Sequence, residues 1–114
     1  MAEVALTVQT ISRSGVAQTL TAANSGSGQE FANDGRTLLL VKNASGATVS
    51  VSFEYQASLD GGLVTPGNLT AAVGDGATKL FGPFPGELYN DADGNVEVDY
   101  TGVVASVSVG AFRL

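Results

Sequence analysis

Residues 47–55 read Ala47-Thr48-Val49-Ser50-Val51-Ser52-Phe53-Glu54-Tyr55, and the fold turns on how they alternate. Val49, Val51, Phe53 and Tyr55 recur with period two, and Ser50, Ser52 and Glu54 fill the positions between. A helix would scatter these residues around its circumference, whereas a half-buried strand sorts them onto two faces. Just upstream, Thr37 to Asn43 contains the unbroken apolar run Leu38-Leu39-Leu40-Val41, the pattern of a strand covered on both sides. Asn43-Ala44-Ser45-Gly46 is a tight connection between the two, so the sequence predicts a β-hairpin here.

The same period extends in both directions. Towards the N-terminus, Val4 to Ile11 suits an early strand or an extended arm, with Val4, Leu6 and Val8 on one face. Ser12 to Gly15 interrupts it, and Val16 to Ala23 reads as a second short strand sharing Val16, Gln18, Leu20 and Ala22. Asn24-Ser25-Gly26-Ser27-Gly28 is a loop, and Asn33-Asp34-Gly35 a turn built from residues that tolerate left-handed backbone. Downstream, Gln56 to Gly67 is irregular, Asn68 to Val73 is a strand, and Gly74-Asp75-Gly76 closes it. Thr78 to Phe84 forms a further strand that Pro83 and Pro85 stop, and Tyr89 to Asn95 a loop. Val96, Val98 and Tyr100 then oppose Glu97 and Asp99, and Val107, Val109 and Ala111 form the inward set of the last strand. No stretch has the spacing of a long amphipathic helix. The expectation is one all-β domain over residues 1–114, an antiparallel β-sandwich or Greek-key barrel of about seven or eight strands.

Composition narrows the chemistry. The 114 residues include neither Cys nor His, which removes disulfides, thiolate nucleophiles, sulfur-ligated zinc and the usual general base near neutrality. A net charge of −6, with Arg13, Arg36, Lys42, Lys79 and Arg113 scattered singly, opposes binding to a nucleic-acid backbone. No basic and apolar leader opens the chain and no apolar run could span a bilayer, so the reading is a cytosolic product with no membrane partner. Hydrophobic residues make up 44% against 14% charged, so some apolar surface is expected to meet a partner.

The candidate motifs fall short of their chemistry. Asp91-Ala92-Asp93-Gly94-Asn95 has the alternating oxygens of a calcium loop, but Val96 stands where the loop needs Gly and Gly102 where it needs Glu. It reads as a turn, and no metal is expected. Gly74-Asp75-Gly76-Ala77-Thr78-Lys79 lacks the spacing of a phosphate loop and precedes a strand. Glu97 and Asp99 could be paired carboxylates, but they lie on the polar face of a strand, where a solvated surface explains them. The sequence therefore predicts no enzyme activity and no cofactor. Phe81, Phe84 and Tyr89 bracket a Pro/Gly-rich loop, which could form a sugar platform or plug one end of the sandwich.

Several segments resemble small tailed-bacteriophage virion proteins of the head decoration, or cement, type. They are Phe31 to Thr37, Val41 to Gly46, Gly76 to Pro85, Leu88 to Val96 and Val107 to Leu114, which together cover 40 of the 84 residues after Glu30. The resemblance implies a structural protein on the outer capsid surface, a homo-oligomer with a trimer favoured, that binds the major capsid protein and stabilises the mature head. The interface candidates are Val4, Leu6 and Val8 in the N-terminal segment, Leu59, Leu63 and Val64 in the long loop, and Phe84 and Tyr89. The N-terminal segment could add a strand to a neighbour's sheet, or could complete this domain's own sheet. Two other readings stay open: a glycan- or host-binding module of a fibre using the Phe84–Tyr89 loop, and a tail or connector subunit.

Overall fold

The computed structural model describes residues 4–56 and 67–114. Two mixed sheets of five strands pack face to face as a β-sandwich. Sheet I has the order β1 (Val4–Ala5), β4 (Gln29–Ala32), β9 (Asn95–Thr101), β6 (Val49–Phe53), β7 (Leu69–Val73). Sheet II runs β2 (Val8–Thr10), β10 (Val107–Arg113), β5 (Thr37–Asn43), β8 (Thr78–Phe81), with β3 (Thr21–Ala22) also paired to β10. The one helix among the described residues is the single turn α1 (Gly86–Tyr89).

The alternation read from the sequence sets the core. Val49, Val51 and Phe53 of β6, Val96, Val98 and Tyr100 of β9, and Val107, Val109 and Ala111 of β10 all face inward and are buried. They meet Leu39 and Val41 of β5 between the sheets. At roughly 25 cal/mol per Å² of apolar surface removed from water, this layer supplies the main force that holds the sheets together.

Four expectations need correction. Residues 37–55 are not a hairpin: β5 pairs with β10 and β8 in sheet II, whereas β6 pairs with β7 and β9 in sheet I. The connection is a corner between sheets, because β5 and β6 both bury their apolar faces against opposite walls of one core. Val4 to Ile11 is not one strand, since the chain leaves β4 after Ala5, drives Leu6 into the core and joins β10 at Val8. Those two pairings are parallel, so neither sheet is purely antiparallel. Only Thr21–Ala22 of the expected strand 16–23 is extended in a ladder. Finally, β4 was not foreseen, because its inward residues are Phe31 and the polar Gln29. Gln29 is buried with its Oε1 accepting from the Tyr100 hydroxyl at 2.7 Å and its Nε2 donating to the Ala22 carbonyl at 3.1 Å. Burial, reinforced by the Asp99 charge, pushes the Tyr100 phenol well above its ordinary pKa.

Candidate interaction surfaces

The sequence-predicted interface residues do not form one patch. Val4 is exposed on β1, but Leu6 is buried at 8% and Val8 is half-buried and packed on the core. These three residues bind the chain's own sheets: Leu6 N–H donates to the Glu30 carbonyl at 2.7 Å and Val4 N–H to the Gly28 carbonyl at 3.1 Å. Leu59, Leu63 and Val64 lie outside the described residues.

Phe84 is also corrected, since it is buried at 3%. Its ring lies 4.8 Å from Phe53, 5.7 Å from Phe31 and 5.6 Å from Tyr89, so the loop before α1 plugs one end of the sandwich. Tyr89 is half-buried and meets Tyr55 edge-on at 5.6 Å. With Phe84 inside, the three-aromatic sugar platform is not assembled on the surface.

Two buried asparagines that sequence reading left as turn residues hold the ends of the molecule. At one end, Asn43 Nδ2 donates to the carbonyls of Ala47 and Val73, and its Oδ1 accepts from Ser45 N–H. Its main chain also bonds Gly76 and Ala77, so one residue ties the β5–β6 corner to the β7–β8 corner. At the other end, Asn33 Nδ2 donates to the Phe84 carbonyl at 2.9 Å and to Asn90 Oδ1 at 2.7 Å, securing the plug. An Asn beside an Asp-Gly or Ala-Ser-Gly turn was the only available signal, and it reports a turn without reporting what the turn gathers.

Asp91 and Asp34 are likewise spent locally. Asp91 Oδ1 accepts from the N–H groups of Asp93 and Asn95 at 2.9 and 3.0 Å. Burial works against the Asp91 carboxylate, but these donors outweigh it and its pKa lies below the ordinary value. Desolvation also opposes ionisation of Asp34, and it is outweighed by Arg36 N–H and by Arg113, whose Nε lies 2.6 Å from Asp34 Oδ2. Asp34 is held below its ordinary pKa as a result. Among the described residues, no group of three or more His, Cys, Asp or Glu side chains converges as a metal site would require.

What the fold does assemble is a pair of unlike faces. The strands of sheet I carry Glu30, Glu97 and Asp99 and no basic residue, and those of sheet II carry Lys42, Lys79 and Arg113 and no acidic residue. The outer face of sheet I holds a polar cleft of about 260 Å³ lined by Ser52, Glu54, Asn68, Glu97, Asp99 and Thr101. The outer face of sheet II holds an apolar groove of about 250 Å³ lined by Ile11, Val16, Gln18, Leu38, Leu40, Leu80 and Phe112. The excursion between β2 and β3 forms one wall of this groove, and sequence reading had placed Val16 and Gln18 on a common face without a destination. Among the described residues no helix is long and apolar enough to cross a membrane. Comparison with known protein families, curated proteins and solved structures finds no match for this chain.

Proposed function

We propose that this chain is a structural, non-enzymatic protein of a tailed-phage particle, a head decoration protein whose partner is the major capsid protein. The segment resemblance after Glu30 suggests the reading. The structural observation that supports it is the two-sidedness of the sandwich, which keeps an apolar groove open on sheet II in a chain of net charge −6. Buried polar side chains such as Asn33, Asn43 and Gln29 serve the fold's own corners, which suits a rigid module that acts by its surfaces.

A protein that binds only the mature lattice stabilises it by its binding free energy, and many copies multiply a small contribution per site. The test is to incubate the purified protein with heads lacking it and to image them by cryo-EM. Density repeated over the icosahedral shell, with heads that withstand higher temperature, is the expected result. Density confined to the tail or a fibre overturns the proposal.

A further inference from the structure

We infer that the peptide bond between Arg13 and Ser14 is a processing site for an endopeptidase that cuts after arginine, and that the cut releases a strap lying over the outer face of sheet II. Every residue from Thr10 to Thr19 is exposed, the longest such run among the described residues. Residues 12–18 join no ladder, and their one backbone hydrogen bond among the described residues runs from Gly15 N–H to the Ser12 carbonyl at 3.1 Å. Arg13 sits on that turn between two serines, and its guanidinium enters no ion pair among the described residues. Small polar residues at an exposed loop tip are where proteases nick folded domains. The bond must first be drawn out of the fold, and the free energy of that local opening is lowest where the fewest contacts hold the backbone.

The fold protects the other four basic residues. Lys42 lies in β5 between its ladders with β10 and β8, and Lys79 pairs with Val41 and turns its Nζ onto the Ala72 carbonyl at 2.8 Å. Arg113 pairs with both Thr37 and Thr10 and is held by Asp34. Arg36 precedes the buried Thr37, and its carbonyl accepts from Leu114 N–H at 3.2 Å. Cutting after any of these four means taking β5, β8 or β10 apart.

Opening at Arg13 stops at two clamps. Gln9 stands in for the ladder that the loop lacks: its Nε2 donates to the Thr19 carbonyl at 2.8 Å, and its Oε1 accepts from Thr19 N–H at 3.1 Å. Ile11 N–H donates to the Arg113 carbonyl at 2.8 Å. The reaction needs only water: its oxygen adds to the Arg13 carbonyl carbon, the C–N bond breaks, and the Ser14 nitrogen leaves with a proton as an amine. Both sides of the cut stay anchored, the first by Leu6 in the core and by β2, the second by β3.

The consequence falls on sheet II. Leu40 and Phe112 are buried, each at 7%, yet neither belongs to the core between the sheets. They alternate with the inward Leu39 and Ala111, so they face outward, into the groove that Ile11, Val16 and Gln18 also line. Once Ser14 is a free end, Val16 and Gln18 are no longer held against them from both sides, and the apolar outer face opens.

Limited digestion of the intact chain with trypsin, followed by intact-mass spectrometry, tests this with no capsid present, so the outcome is separate from that of the decoration reading. The first products are expected to be residues 1–13 and 14–114, appearing while the circular dichroism spectrum is unchanged and the fluorescence of the apolar probe ANS rises. Arg13→Gln is expected to slow the first cut by about tenfold or more, whereas Arg13→Lys retains it at the same bond. A first cut after Arg36, Lys42, Lys79 or Arg113 overturns the inference. So does a cut at Arg13 that appears only as the spectrum collapses, an ANS signal that the cut leaves unchanged, or an Arg13→Gln chain digested as fast as wild type.

Discussion

Asn43 has 1% of its surface exposed and uses both side-chain polar atoms on the chain around it. Removing such a group takes from the Val73 carbonyl and the Ser45 N–H the partner that Asn43 supplies, and leaves the Ala47 carbonyl with Ser45 Oγ alone of its two side-chain donors. Asn43→Ala is therefore expected to cost about 2–4 kcal/mol, read as a lowered urea midpoint by circular dichroism with an unchanged slope. Asp34 acts at the same scale but responds to pH. Its folded pKa is lowered, so the stability that it contributes is present above the unfolded carboxylate value and is lost as pH falls through the folded value. The urea midpoints of wild type and Asp34→Asn are expected to differ at pH 7 and to converge only as the pH is brought below the lowered folded-state value of Asp34. Neither role could be read from the residue types, because Asn and Asp before Ser-Gly or Gly signal a turn wherever they occur.

At the scale of elements, the last strand carries most of sheet II, with β5 along one edge and β2 and β3 sharing the other. Gly110 lies at the junction where the chain leaves β2 and returns as β3. A Cβ added there would stand 2.8 Å from Leu20 Cδ2 and 3.1 Å from the Thr19 carbonyl oxygen. The leucine tip can swing aside, but the backbone oxygen cannot without moving β3. Gly110→Ala is expected to destabilise the domain by about 1–3 kcal/mol, and by less in a Leu20→Ala background. Thermal melts of the two single variants and the double variant measure the difference. The alternation of Val107, Val109 and Ala111 was legible in the sequence. The close approach over Gly110 was not, since it depends on Leu20, which is far away along the chain.

At the scale of the molecule, the fold separates its charges by sheet and its polarity by face. The acidic residues Glu97 and Asp99 were legible as the solvated side of a strand, and the apolar run Leu38 to Val41 as a strand covered on both sides. That covering is partial on the outside: Leu40 is buried at 7%, but Leu80 beside it is 62% exposed. An apolar excess in the composition announces a surface for a partner, and the candidates for it are Val4, Leu6, Val8, Leu59, Leu63, Val64, Phe84 and Tyr89, of which Leu59, Leu63 and Val64 lie outside the described residues. The structure turns Leu6 and Phe84 inward and opens Ile11, Val16 and Leu80 instead. The sequence by itself determined that the domain is all β, and which side chains of β6, β9 and β10 face the core, because period-two alternation is a local property of the strand. Only the tertiary structure decided which sheet each strand joins, and hence that residues 37–55 turn a corner and that the N-terminal segment crosses between sheets. Strands pair through backbone groups that are nearly the same for every residue, so an alternating sequence names its buried face and leaves its neighbour to the packing of the whole chain.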